Sequence, residues 1–257
     1  MQLHYKSNGS GDPLIILHGV FGMLDNWRSF AKNLESFFSV YVMDLRNHGR
    51  SPHDAQMSYP LMAEDVRETM LANGMTDGAY LVGHSMGGKV AMQLALDHPA
   101  LIRALIVVDI APVEYGESHE KIIRSLMKIP VSDIGSRNEA TNLLSETIED
   151  PAIVAFLMKN LSRNEDGTFR WKMNLPVIAK QYNWLLQAPH SKNEVYSGPS
   201  LFVRGGLSSY VPAGSERIIK TQFPQAKVVT IEEAGHWVHA DQPVALLRHI
   251  TEFIAAI

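Results

Sequence analysis

The chain contains no cysteine. Disulfide staples, thiolate nucleophiles and cysteine-ligated zinc are therefore excluded from its chemistry. A strong charge of either sign is also missing: 23 lysines and arginines stand against 27 aspartates and glutamates, a formal net charge of −4. No basic cluster exceeds a few residues, which argues against a nucleic-acid footprint. Apolar runs are short, and none approaches the ~20 residues that a membrane-spanning helix needs. Met1 to Pro13 is polar and glycine-rich, with neither the apolar core of a signal peptide nor the bias of a transit peptide. Internal repeats and low-complexity segments are missing too. These absences lead to the expectation of a soluble, cytoplasmic protein with no metal, cofactor, membrane or nucleic-acid partner. Oligomeric state is not legible from them.

What the sequence does have is material for a core. Hydrophobic residues fill 46% of its 257 positions, enough for one α/β domain with an insertion. Leu14-Ile15-Ile16-Leu17, Val40-Tyr41-Val42-Met43, Tyr80-Leu81-Val82 and Leu105-Ile106-Val107-Val108 are short apolar runs, as expected of strands buried on both faces. A short edge strand is expected at Leu3-His4-Tyr5. Helical patterns lie between the runs. Trp27, Phe30, Ala31 and Leu34 share one face behind a capping Asp25, and Ser58 and Pro60 open a helix through Met70. Such alternation implies a parallel sheet, whose ligands bind beyond the carboxyl ends of the strands.

The alternation stops after Pro112. From Val113 to Ser197 the pattern is mainly helical, with a run from Pro151 through Leu161, a turn at Asn164 to Gly167 and an extended piece from Thr168 to Met173. Strands resume at Ser200 to Val203 and Val228 to Ile231, and Pro243 opens a last helix. The expected organisation is a core made of residues 1–112 and 198–257, with residues 113–197 as a helical cap.

The chemistry centres on Gly83-His84-Ser85-Met86-Gly87-Gly88. A strand pattern runs into this segment and a helical pattern leaves it, the context required of a G-x-S-x-G nucleophile elbow. The glycines permit a turn tight enough to force Ser85 into strained geometry and hold its hydroxyl out at the sheet's edge. A serine hydroxyl needs a neighbouring base held in the right tautomer by a third group. His236, in Glu233-Ala234-Gly235-His236-Trp237, is the candidate base, because it occupies a loop just after the last strand. His239 is the fallback, better read as a helix-entry residue, and His84 lies too close in sequence to turn back onto Ser85.

Taken together, His18-Gly19, the segment Asp44 to Ser51, Gly83 to Gly88 and Gly235-His236 resemble the α/β-hydrolase superfamily over nearly the whole chain. The resemblance implies an α/β-hydrolase fold, with a mostly parallel sheet covered by helices on both faces, and a triad in the order serine, acid, histidine. The superfamily usually carries its acid in the loop after the penultimate strand. Here that loop, Arg204 to Pro212, has no carboxylate, and serines stand in its place. Asp109, at the end of the strand after the nucleophile's helix, can fill the gap, and Glu216 is the runner-up. The segments Val108 to Pro112, Ser209 to Val211 and Gly235 to Ala240 look like the small bacterial YbfF-type esterases, a group whose acid is assigned to this earlier strand.

By the same resemblance the oxyanion hole would use the N–H groups of Met86 and Val20, with Phe21 as Val20's neighbour. Asp44, Arg46 and His48 match the superfamily's D-x-R-x-x-G-x-S turn and read as structural, while His18 reads as a brace for its loop. Phe21 and Trp237 are candidate substrate contacts. Ile122, Leu126, Met127, Phe156 and Trp184 are candidates for an apolar roof, which favours an uncharged acyl group. The implied function is carboxylester hydrolysis through an acyl-enzyme on Ser85, His236 and Asp109, extending to acyl thioesters, with a small-molecule ester as the partner. Carbon–carbon bond hydrolysis, a lyase step or a non-catalytic receptor on the same fold are the alternatives.

Overall fold

The apolar runs bury both faces only in the interior of a sheet, and that is where they lie. In the computed structural model, which describes residues 1–193, 195–212 and 214–257, the core elements before the insertion are β1 (Tyr5–Asn8), β2 (Pro13–Leu17), α1 (Arg28–Lys32), β3 (Ser39–Met43), α2 (Tyr59–Ala72), β4 (Ala79–His84), α3 (Met86–Asp97) and β5 (Ile102–Val108). The insertion holds α4 (Glu120–Lys128), α5 (Arg137–Ser145), α6 (Pro151–Met158), β6 (Leu161–Arg163), β7 (Phe169–Trp171), α7 (Leu175–Lys180) and α8 (Tyr182–Leu186). The core then resumes with β8 (Ser200–Gly205), α9 (Glu216–Gln222), β9 (Ala226–Ile231), α10 (Val238–Asp241) and α11 (Pro243–Ala255).

Seven strands form one sheet in the order β1-β3-β2-β4-β5-β8-β9. Only the β1–β3 pairing is antiparallel; the rest are parallel, with Leu14 opposite Val40 on one side and Tyr80 on the other. Alternate side chains divide between two cores. Ile15, Leu17, Leu81 and Leu105 pack on the α2–α3 side, whereas Leu14, Ile16, Val82 and Ile106 pack with Trp27, Phe30, Leu246 and Ile250.

Three local expectations shift. The edge strand runs from Tyr5 to Asn8, because its pairing with β3 starts at Tyr5 opposite Met43. Asp25 does not cap α1: it sits in a 3₁₀ turn over Leu24–Asn26, Trp27 precedes the helix, and the Asp25 carboxylate lies 3.8 Å from Arg28. The run that begins at Pro151 leaves the helix after Met158, and Leu161–Arg163 pairs with Phe169–Trp171 as a hairpin. The turn at Asn164 to Gly167 requires an extended partner on both sides, and that requirement overrides helix propensity.

The turn after β3 is built around two buried acids. The Asp44 carboxylate accepts from the Leu24 N–H at 2.7 Å and the Arg50 N–H at 2.9 Å. Gly49 closes against it at φ +57, where a Cβ would come within 2.2 Å of the Asp44 side chain. Arg46 forks onto buried Asp65 at 2.5 and 2.8 Å and donates to the Gln56 carbonyl at 2.9 Å. Losing one member of a buried pair strands the other charge, which costs about 3–5 kcal/mol. Asp65→Leu is therefore expected to lower the free energy of unfolding by about that much in urea titrations; a loss below about 1 kcal/mol would mean that the guanidinium is served adequately without its carboxylate.

Candidate active site

β4 feeds α3 through Ser85, whose φ of +53 and ψ of −121 lie in a region that non-glycine residues rarely occupy. The strain persists because neighbours over-determine it. The Ser85 N–H donates to Val108 O at 3.0 Å, and the Lys89 N–H donates to Ser85 O at 3.1 Å. Gly83 is required at its position, since a Cβ there would stand 2.3 Å from Gly87 O. Ser85 and His236 both border a cavity of about 530 Å³ between the sheet's carboxyl edge and the insertion.

Asp109 leaves the end of β5 at φ +51 and is completely buried. Three donors converge on its carboxylate. His236 Nδ1–H donates to Oδ2 at 2.7 Å, the Gly205 N–H donates to Oδ1 at 2.8 Å, and the Ser208 hydroxyl also donates to Oδ2. Because Nδ1 carries the proton toward Asp109, Nε2 is left as the basic nitrogen. The structure thus brings Asp109 and His236 together. Glu216 lies elsewhere, on α9, paired with Lys220 at 2.6 Å. His239 makes no such contact; its ring stacks on Trp27 at 4.0 Å.

The loop after β2 has a defined hydrogen-bond pattern. The Phe21 N–H is taken by His48 Nε2 at 3.3 Å, whereas among the described residues the N–H groups of Val20 and Met86 have no acceptor. Val20, the expected donor of this loop, therefore keeps its N–H free, whereas that of its neighbour Phe21 is engaged. His18 and His48 hold the loop as neutral rings of the same tautomer. Nδ1–H of His18 donates to Gly19 O at 2.8 Å and its Nε2 accepts from the Leu45 N–H at 3.0 Å, while Nδ1–H of His48 donates to Arg46 O at 2.9 Å. Burial keeps them neutral, lowering His18 to about 4 and His48 to about 3. Burial likewise lowers His119 to about 4 and His239 to about 3, and pushes His84 well down.

Phe21 and Trp237 line the cavity, as do Ile122 and Phe156, with the Trp237 and Phe156 rings 5.0 Å apart and tilted by 40°. The other three roof candidates do not. Leu126 is sealed within the insertion, and Met127 and Trp184 face outward at 51% and 58% exposure. On α4 the Ile122 face meets the cavity, and a residue five positions on falls on another side of the helix. Ile153 and Leu157 of α6 supply the rest of the roof.

Several residues at the site lie in segments the sequence singled out, but with contacts it did not specify. Ser208 occupies the loop noted for lacking a carboxylate, and Tyr210, two residues on, lays its ring on His236 at 3.9 Å and 19°. His84 does not reach back to Ser85; its Nε2 donates to His236 O at 2.8 Å and so ties the elbow to the histidine loop.

A mostly parallel sheet with a strained serine after its fourth strand and a buried Asp–His pair at the same edge is the arrangement of an α/β-hydrolase. The comparisons agree. Residues 12–132 match the family described as alpha/beta hydrolase fold. The chain is 36% identical to Esterase YbfF of Escherichia coli (strain K12) over 97% of its own length and 95% of that protein's. It is 39% identical to sn-1-specific diacylglycerol lipase ABHD11 of Xenopus tropicalis, over 97% of this chain and 80% of that one. A solved marine microorganism esterase superposes with a TM-score of 0.95 at 42% identity, covering 98% of this chain and 99% of its own. The chain belongs to the α/β-hydrolase family.

The buried histidines have a measurable consequence. Their folded pKa values lie below the ordinary 6.5, so between pH 6.5 and about 4 the unfolded chain binds protons that the folded chain does not. Their contribution to stability is complete above pH 6.5 and is lost as pH falls through that window, at up to about 1.4 kcal/mol per pH unit for each histidine. Urea midpoints at pH 7.5, 6 and 5 are expected to drop steeply; a flat profile would mean that these rings titrate normally in the fold.

Proposed function

We propose that the chain is a serine carboxylesterase that works through a covalent acyl-enzyme, with Ser85 as nucleophile, His236 as general base and acid, and Asp109 as the orienting acid. The observation that carries the reading is the 2.7 Å Asp109–His236 hydrogen bond, which sets the histidine tautomer beside the strained serine. In this reading Ser85 Oγ attacks the ester carbonyl as its proton passes to His236 Nε2. The N–H groups of Val20 and Met86 receive the oxyanion. His236 then returns the proton to the leaving alcohol. A water molecule gives up a proton to His236, attacks the acyl-enzyme and releases the carboxylic acid. Residues 113–197 act as the cap over this chemistry, and the relatives named esterase and lipase support ester hydrolysis. No lysine or arginine lines the cavity among the described residues, so a nucleotide's phosphates would find no counter-ion within it. This favours simple esters over coenzyme thioesters.

Two spaces meet at Ser85. The 530 Å³ cavity is bordered by His236, while a pocket of about 30 Å³ is bordered by Val20, Ser85, Met86, Lys89, Tyr115 and Tyr182 but not by His236. The leaving oxygen must lie within reach of His236, so the alcohol belongs in the larger space and the acyl chain in the smaller. The substrate class is thus a short acyl group on a bulky apolar alcohol.

Two tests follow. Ser85→Ala is expected to abolish hydrolysis of p-nitrophenyl esters, and Asp109→Asn to lower kcat by about 10⁴ as at other triads, whereas Glu216→Gln leaves it unchanged. Loss in Glu216→Gln with retention in Asp109→Asn would overturn the acid assignment, and no turnover by the intact protein would overturn the enzyme reading. Across acyl lengths on one alcohol, kcat/KM is expected to be at least about tenfold higher for acetate and propionate than for decanoate, on the scale of a few methylenes refused by a pocket. The opposite profile would put the acyl chain in the large cavity.

A further inference from the structure

The loop that offers Val20 to the oxyanion is held from two directions, and one of the hands belongs to the insertion. Phe21 stands at φ +60, a left-handed conformation that is an outlier for an aromatic residue. On its amino side the N–H is fixed by His48 of the core. On its carboxyl side the carbonyl accepts from Asn160 Nδ2 at 2.7 Å. Asn160 follows α6 and is completely buried. Its own backbone is fixed as well, since its N–H donates to Leu157 O at 3.0 Å and its carbonyl accepts from the Lys172 N–H at 2.8 Å. The amide's orientation is set by chemistry: a flipped side chain would place Oδ1 against the Phe21 carbonyl, acceptor against acceptor. Among the described residues Oδ1 has no partner, so the bond to Phe21, with a longer contact to Leu157 O at 3.3 Å, is the service this buried carboxamide performs.

We infer that Asn160 is a positioning residue of the proposed esterase, holding the Phe21 peptide so that the preceding Val20 N–H stays aimed at the oxyanion. The inference rests on the serine-hydrolase reading and adds to it a physical link between two parts of the molecule. The oxyanion loop is fully set only while Asn160 reaches it from the docked insertion, so the insertion acts on oxyanion stabilisation through this one contact. A substrate that props the insertion open binds but reacts slowly. The strain at Phe21 is consistent with this, because an unfavoured backbone conformation relaxes once either hand lets go.

The test compares Asn160→Ala and Asn160→Ser with Asn174→Ala. Asn174 also ties the insertion to the core, through its N–H to Asn47 O at 2.8 Å and its Nδ2 to Asn47 Oδ1 at 3.0 Å, but it does not touch the oxyanion loop. Active sites are counted by stoichiometric phosphonylation of Ser85, so that misfolded protein drops out of the rates. For each variant kcat and KM are measured on p-nitrophenyl acetate, with Ki for a trifluoromethyl ketone, whose hemiketal oxyanion uses the same donors. Removing one oxyanion donor costs about 10²–10³ in kcat. Asn160→Ala, which loosens a donor without deleting it, is expected to lose about 10- to 100-fold, with Ki raised by a similar factor and KM within about threefold. Asn160→Ser keeps a shorter donor and falls between Ala and wild type; it carries the comparison alone if the alanine variant does not fold. Asn174→Ala stays at the wild-type rate. Per-site kcat unchanged in the Asn160 variants, a loss confined to KM, or an equal loss in Asn174→Ala would each overturn the inference. A wild-type protein that neither turns over nor labels at Ser85 would remove the esterase reading itself, a different and separately visible result.

Discussion

The Asp109 carboxylate is the point on which the site depends. A fully buried carboxylate must be surrounded by donors, and its three come from three places in the chain: His236 beyond β9, Gly205 at the end of β8 and Ser208 in the loop that follows. One desolvated anion therefore sets the relative positions of three loops at the sheet's carboxyl edge. Ser208 gains its meaning from this arrangement. With the acid on β5, the loop after β8 is free to contribute a donor, and a hydroxyl there satisfies the carboxylate that a second acid would repel.

Around this anion the molecule places neutral histidines. His18, His48 and His84 are completely buried or nearly so: His18 bridges the Gly19 carbonyl and the Leu45 N–H, His48 bridges the Arg46 carbonyl and the Phe21 N–H, and His84 donates to the His236 carbonyl. A neutral imidazole offers one donor and one acceptor in a rigid ring, which suits it to bridging a carbonyl and an N–H in a dry interior. Burial maintains the neutral state that the bridging requires, so the depressed pKa values and the hydrogen-bond pattern are one fact seen twice. His236 differs from these three in exposure: its side chain is 24% exposed and borders the cavity, with Nδ1 committed to Asp109.

The insertion is joined to the core by polar contacts of unusual reach along the chain. Tyr59 donates to Leu185 O at 2.6 Å, and buried Lys89, lowered to about 7 by desolvation, donates to the carbonyls of Leu186 and Gln187 at 3.0 and 2.6 Å. Lys89 lies one turn after Ser85 on α3, and Asn160 touches the loop after β2 at the Phe21 carbonyl. The insertion thus grips the two segments nearest the proposed chemistry, and its apolar faces close the cavity above them.

Much of this was written in local sequence. Both-face apolar runs specified the strands, period-2 alternation assigned their residues to two cores, and the glycines around Ser85 specified a turn that few other residues could make. The features left to tertiary structure are those that join distant residues. Whether Asp109 or Glu216 meets His236 depends on which strand end lies beside the last loop, a matter of sheet order that no local pattern encodes. Leu126, Met127 and Trp184 show the same limit: an apolar side chain in a helical insertion can face a cavity, a neighbouring helix or solvent, and only the packing of the helices decides. Asn160 and Ser208 are the extreme case. As letters in the sequence they are ordinary polar residues; their roles come from a carbonyl 139 positions away and a carboxylate 99 positions away. Sequence alone determined the strained serine and the layers that present it, because those follow from backbone sterics and hydrophobic period. The tertiary structure decided the partners, because a hydrogen bond between remote residues exists only after the chain has folded.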